Sequence, residues 1–437
     1  NTTGNNSTAV GYGALRANTT ANDNTAVGYE ALTANTTGGS NVAMGLGSLK
    51  ANITGNSNVS VGLNSMMDNT AGYDNLSMGH DTMLRNTTGH SNIALGRRAL
   101  YNNTTGYDNT SVGKDTLYLS TTSVNNVAVG DSALFNTISS NNTAVGTSAL
   151  KANTTGTGST AFGYRAGIAT TTGTQNTFIG SDAGGSNTTG NKNTFIGPDA
   201  GYYVTTGSNN TIIGKFNGNV GGLDIRTTNN NIVLSDGDGN PRALINSSGT
   251  MLVGKTSAGD FIAGIEMQPT GALLSYRTGG VAGIFGRSNN GELVRFNENT
   301  TQVGSISVTG SSTAYNTSSD YRLKTNVTPM TGATAAVKLL KPCNFDWISD
   351  GSNVNGFLAH ELAEVVPEAA TGTKDAMMDE EYEVTPAVVD AEGVETTAAV
   401  MGTRSVPDMQ GIDQSKLVPL LTATIQELIA RIEALEA

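Results

Sequence analysis

The 437-residue chain is 37% apolar and 5% aromatic and holds 55 glycines, too few large side chains for one extensive core. Of its net charge of −12, residues 320–437 carry −11 (8 Lys+Arg against 19 Asp+Glu), leaving −1 for residues 1–319. The near-neutral leading part has no basic stripe, so nucleic acid is not an expected partner; without a run of about 18 apolar residues no membrane insertion is expected, and the lone Cys343 leaves no intrachain disulfide.

From the first residues onward a repeat governs the chain. Gly11, Gly28, Gly45, Gly62, Gly79, Gly96, Gly113, Gly130, Gly146, Gly163, Gly180, Gly197 and Gly214 lie 17 residues apart, except for one interval of 16 between Gly130 and Gly146. This regularity turns a composition that would otherwise read as disordered into the signature of a repeat architecture. An apolar residue precedes each of these glycines (Val10, Val27, Met44 through Ile179, Ile196, Ile213), and Asn stands four before it in eleven of thirteen copies. The spacing predicts two short extended pieces per repeat, one at sequences such as Asn24-Thr-Ala-Val-Gly28 and one near Ala31-Leu32. Asn-Thr-Thr-Gly turns would separate them, with Asn and Gly in left-handed conformations. A helical repeat would need longer apolar stripes and less Gly. Residues 1–217 are therefore expected to form a mainly β fold, a β-solenoid or β-roll whose thirteen coils, stacked at about 4.8 Å, reach roughly 60 Å.

Each coil offers about two large apolar side chains, the one before Gly and a Leu or Met four after it (Leu15, Leu32, Leu49, Met66, Met83, Leu100). A lone column is expected to fall short of its ordering cost and to draw on the association of several chains. From Gly163 on, Gly167, Gly184 and Gly201 replace that Leu while Phe178, Ile179, Phe195 and Ile196 enlarge the other row, which predicts narrowing or closer chain approach. The pattern resembles the heads of trimeric bacterial adhesins, whose shorter repeats also carry Ala-Val/Ile-Gly followed by Ala. Ordered Thr columns raise an ice-binding reading too, set against plain solvation and side-chain capping in the turns where most of these Thr residues fall.

Between Phe216 and Thr317 the period vanishes. Asn231-Ile-Val-Leu-Ser235 and Arg242-Ala-Leu-Ile-Asn246 flank a turn, Asp236-Gly-Asp-Gly-Asn240, and predict a hairpin in a β-rich segment spanning 218–317. Asp236, Asp238 and Asn240 match the opening of a calcium loop, but Pro241 stands where its Gly belongs and Ser247 where its bidentate Glu belongs. No metal or cofactor is expected, and no paired carboxylates mark a glycosidase site in the shaft.

Three blocks then stand out: Ser319-Asp-Tyr-Arg-Leu-Lys324, Gly356-Phe-Leu-Ala-His-Glu-Leu-Ala-Glu-Val-Val-Pro-Glu368, and Gln410-Gly-Ile-Asp-Gln-Ser-Lys-Leu-Val-Pro-Leu-Leu421 with the helix that follows. Together they make residues 318–437 similar to the self-cleaving intramolecular chaperone domain that ends many bacteriophage tail fibres and tail spikes. The resemblance implies a small α+β domain and a cut between Ser319 and Asp320, with Ser319 as nucleophile and Lys324 as its base. A Ser hydroxyl needs such a base, and an amine serves as one where burial or nearby cations favour its neutral form; Arg322 could supply that cation or order Asp320. His360 falls where the family often carries His or Gln and is a candidate for positioning the reacting peptide. Gln414 departs from the commoner aromatic residue, and residues 375–405 form an acidic insertion without an assigned role.

Val418, Leu421, Ile425, Leu428, Ile432 and Leu435 make a heptad seam in a helix expected over 415–437, which predicts self-association. Ile at a with Leu at d favours two strands by itself, whereas Arg431-Ile-Glu-Ala-Leu-Glu436 resembles a trimerising pattern in which Arg431 would bridge Glu436 of a neighbouring chain. The sequence as a whole reads as a homotrimeric tail fibre or spike. It would sit in the virion and bind a host surface receptor or glycan, and its C-terminal domain would act in the host cytoplasm during assembly. The rival readings are a trimeric adhesin head and a glycan-degrading tail spike.

Overall fold

In the structure, a computed structural model describing residues 3–258, 263–277, 282–283, 285, 290–298, 300–317, 321, 324–385, 388–389, 395–397 and 400–437, the repeat forms a β-solenoid. Each coil contributes one three-residue strand, from β1 (Thr8–Val10) to β13 (Thr211–Ile213), paired in parallel with the next. The 16-residue coil keeps this register, Val127 opposite Thr143 and Val129 opposite Val145, because the missing residue comes out of the turn around Ser139. The chain divides into two compact units, Asn1–Ile284 and a second made of Phe285–Asp390 and Glu395–Ala437.

Strand alternation settles which side chains are inside, and it reverses one expectation. From the second coil to the thirteenth the middle residue of each strand is buried (Ala26, Ala43, Ser60, Phe178, Phe195, Ile212), while Ala9 of the terminal coil is exposed, so the apolar residue before the glycine points outward. The second extended piece is not a strand either. Near Ala31-Leu32 the coil turns, and the buried Leu adopts φ of about +50°: Leu32 at 50°, Leu49 at 52°, Met66 at 50°. Leu, Met or Gly fills this position in the coils from Gly11 to Gly197, never Val or Ile, since β-branched residues are outliers at positive φ.

Two buried amide ladders run along the shaft. Asn41 donates its backbone N–H to Asn24 Oδ1 (2.9 Å) and its side-chain amide to Asn24 Oδ1 (3.2 Å) and Gly55 O (2.9 Å), and Asn58, Asn75, Asn92 and Asn109 repeat the pattern. The second ladder uses the Asn of Asn-Thr-Thr-Gly, with Asn52 Nδ2 donating to Asn35 Oδ1 at 2.9 Å. Neither the Asn nor the Gly of Asn-Thr-Thr-Gly is left-handed, contrary to expectation; the Asn of both ladders satisfies buried polar groups, and positive φ falls instead on the residue before the Asn of the first ladder (Asp23, Ser40, Ser57). The glycine of Asn-Thr-Thr-Gly is needed for proximity, because a Cβ on Gly55 would lie 2.3 Å from Gly72 O. Thr hydroxyls of the turns donate to the next coil's carbonyls, as Thr36 does to Ile53 O (3.1 Å) and Thr87 to Thr104 O (2.9 Å). That is the capping role foreseen for them.

The late coils exchange volume between two inward positions. Phe178 and Phe195 replace the small middle residue, and their rings occupy the space of the absent Leu: a Cβ on Gly184 would meet Phe178 Cε1 at 2.5 Å, and one on Gly201 would meet Phe195 Cδ2 at 2.5 Å. Within the chain the switch is a repacking of the coil interior. Beyond β13 the sheet adds Ile232–Ser235 in parallel, then continues antiparallel through Pro241–Ile245, Met251–Val253, Gly264–Met267 and Leu273–Tyr276. The expected hairpin is the first of these turns. Its Asp236 carboxylate accepts the backbone N–H groups of Asn240 and Asp238 and the Arg242 guanidinium, and these contacts hold it ionised well below the usual range.

Two outcomes follow from this packing. Asn58→Ala removes the acceptor of two Asn75 donors in the buried ladder, so the shaft should lose about 2–4 kcal/mol, a sum over the orphaned groups, read as a lowered midpoint in chemical denaturation; a change below about 0.5 kcal/mol would show that the ladder is not stabilising. Gly184→Leu should destabilise sharply through collision with Phe178, and Phe178→Ala in the same chain should recover about 1–3 kcal/mol of that loss as non-additivity in a double-mutant cycle.

Candidate functional site

Residues Ser319, Asp320 and Arg322 lie outside the described residues, so the geometry of a Ser-Lys pair is not among the structural observations. Lys324 is described: its side chain is exposed, and its backbone N–H donates to Tyr321 O at 3.1 Å. His360 is half-buried on a short helix, α2 (Ala359–Ala363), which follows strand Asn353–Gly356. Cys343 is half-buried on the partner strand Cys343–Asp346, and its thiol points to Gly356 O at 3.7 Å.

The apolar residues of the second block explain why it folds as it does. Leu362, Val366 and Ala369 face inward from α2 and the turn after it and meet Ala333, Leu417 and Leu420. Five small residues, Ala333–Val337 (three Ala, Thr334 and Val337), form a helix, α1, and a 20-residue helix, α3 (Leu417–Glu436), closes the cluster. Asp413 caps the short turn Gln414–Lys416 that leads into α3, its carboxylate accepting from Ser415 N (3.0 Å), and Pro419 falls in the first turn of α3, where no intrahelical donor is lost. The acidic insertion contains two paired antiparallel strands, Met377–Thr385 and Val400–Pro407.

Helix α3 carries two apolar stripes one residue out of step. Leu417, Leu420 and Thr424 are buried against the core, while Val418, Leu421, Ile425, Leu428, Ile432 and Leu435, the predicted heptad seam, are exposed. Arg431 and Glu436 are exposed beside them. Among the described residues nothing covers this seam of large aliphatic side chains.

Sequence reading missed the residue that fixes α3 in place. Glu427 accepts three hydrogen bonds at the start of α1, from Ala333 N (2.8 Å), Thr334 N (2.9 Å) and Thr334 Oγ1 (2.5 Å). These occupy helix-end donors that would otherwise lack partners. The Thr334 hydroxyl, and then the two amides, hold the Glu427 carboxyl at about 2 against an ordinary 4.5. A signal did exist, in that Glu427 lies three residues after Thr424 and seven after Leu420 on the stripe that faces the core.

Because the folded value is depressed, the contribution of Glu427 is complete above about pH 4.5 and fades as pH falls towards 2. Thermal melts of the full chain should show the α3 transition shifting down over that window, and Glu427→Gln should lower it at neutral pH and flatten the pH dependence. An unchanged profile in the variant would show that the carboxylate does not tie the helices together.

Residues 319–371 match the family model described as chaperone of endosialidase. The match opens at Ser319 and takes in the Ser319–Lys324 and Gly356–Glu368 blocks. No curated protein and no solved structure matches the chain. The chain is a β-solenoid followed by a segment similar to the chaperone of endosialidase.

Proposed function

We propose that this chain is a phage tail fibre or spike subunit, made for attachment to a host surface, whose C-terminal segment gathers three copies in register and is then released by self-cleavage. What carries the reading is the chaperone match opening at Ser319, behind a shaft of near-identical coils and ahead of a helix with an exposed heptad seam. Parallel pairing of such coils is slow to form, and a slip of one coil costs few contacts. A terminal clamp that associates first supplies the missing register. Its later removal leaves the assembled shaft behind a kinetic barrier.

In the cleavage step Lys324 takes the Ser319 hydroxyl proton as Oγ adds to the Ser319 carbonyl carbon. The bond to Asp320 N breaks, the proton passes to the departing amine, and water opens the internal ester, restoring Ser319 with a new carboxylate. Lys324 is exposed on the single chain. On this reading the approach of neighbouring copies adds burial to the cation that Arg322 would supply, which would tie cutting to assembly.

The purified product should give fragments of 319 and 118 residues by mass spectrometry, and Ser319→Ala should remain one chain of 437. A variant with Ile425→Glu and Leu428→Glu, which cannot close the seam, should also stay uncut. Equal cutting in Ser319→Ala would refute the nucleophile. Full cutting in a monomeric seam variant would refute the coupling to assembly.

A further inference from the structure

With the middle residue of the strands inside from the second coil on, the first and third point out, and they stack along the shaft into two adjoining columns. Over β1–β13 and Ile232–Ser235 these outward positions hold only Val, Ile, Leu, Met, Phe and Thr, without one charged or amide side chain. Chance does not give this in a chain where 14% of residues are charged and Asn recurs in every repeat. Met44, Val59, Met78, Ile93, Phe162 and Ile179 are 37–57% exposed, each covered along the shaft by its rung neighbours and open on one side. Inter-coil ion pairs such as Lys50–Glu30, Arg98–Asp115 and Arg165–Asp182 are made by residues after the coil glycine, off this strip.

At about 4.8 Å per rung the strip is about 65 Å long, and two outward residues about 7 Å apart with their flanks make it about 10 Å wide. That is on the order of 650 Å², with Thr at the first outward position of eight strands, near the roughly 800 Å² that each partner gives to a stable interface and at the upper end of the roughly 300–600 Å² of the largest apolar patch on a typical monomer. Its chemistry repeats at every rung. A partner that matches it over the whole length must carry the same rung spacing, and another copy of this chain does.

We infer that this strip is the face on which copies of the shaft meet, parallel and coil against coil. The parallel direction rests on the proposed self-association through α3; the strip is a separate surface with its own residues. Each shaft would thereby cover the apolar side chains that its own single column of Leu and Met leaves outside.

The test uses the uncut chain, with Ser319→Ala and Cys343→Ser as background, and one cysteine added at a time: Val129→Cys or Ile179→Cys on the strip, Lys151→Cys on the turn side of the coil, and Leu428→Cys on the α3 seam. After mild copper-catalysed oxidation in air, non-reducing gels should show linked chains for Val129→Cys, Ile179→Cys and Leu428→Cys and single chains for Lys151→Cys. Linkage at Leu428→Cys without linkage on the strip would overturn the inference and leave the α3 reading standing, with the strip free for some other occupant. Single chains in all four would overturn both. Linkage in all four, Lys151→Cys included, would mean indiscriminate aggregation and would likewise sink the strip as an interface.

Discussion

Each coil of the shaft is completed by the next one. Asn24 Oδ1 finds its donors only in Asn41, Asn41 in Asn58, and so on. Glycines at two positions let the backbones close to distances at which a Cβ would collide. A coil in isolation would leave buried amides without partners and one Leu for a core, so stability is a property of neighbours, as in other repeat architectures. Where the ladder is interrupted the cost is visible. Asn103, Asn153 and Asn187 face Ser120, Thr170 and Val204 in the following coil, and their buried Oδ1 atoms have no partner among the described residues.

The same dependence makes alignment hard to specify. When every rung offers the next the same Asn, Gly and outward pair, a shifted pairing satisfies nearly the same bonds. The interruptions at Ser120, Thr170 and Val204, the 16-residue coil and the change from Leu to Phe packing at Phe178 are the local marks that tell one coil from another. They are few, and they act only after most of the shaft has formed. An alignment device outside the repeat is the physical remedy, and the exposed seam of α3 is suited to that part. At about three heptads it fixes register more than it supplies stability.

The period, the β character and the hairpin around Asp236–Asn240 were legible in the sequence because Gly spacing and alternation act locally. The direction of side chains was not. Val27 and Met44 look like core residues, but a three-residue strand has one inward position, and Ala26 and Ala43 hold it. The Asn of Asn-Thr-Thr-Gly looked like turn chemistry, since Asn serves in both turns and ladders and only its partner 17 residues on distinguishes them. In the second unit the heptad of α3 was plain. Its inward stripe of Leu417, Leu420 and Thr424 and the Glu427 contact were hidden because their partners at Ala333 and Thr334 lie some 90 residues away. Of the cleavage candidates, Lys324 and His360 are placed, while Ser319, Asp320 and Arg322 fall outside the described residues.

The two apolar surfaces differ in a way that bears on the order of events. The α3 seam spans six side chains close together in sequence, so its loop-closure cost is small and it can form early. The outward strip of the shaft gathers its area from strands spread over more than 200 residues and exists only once the coils have stacked. On the proposed reading, the surface that forms early is the one cut away, and the surface that forms late is the one that stays. Severing the chain at Ser319 then removes the contacts through which shafts could disengage and re-pair, while every coil keeps its ladder partners. Release of the clamp makes the assembled state persistent without adding a contact to it.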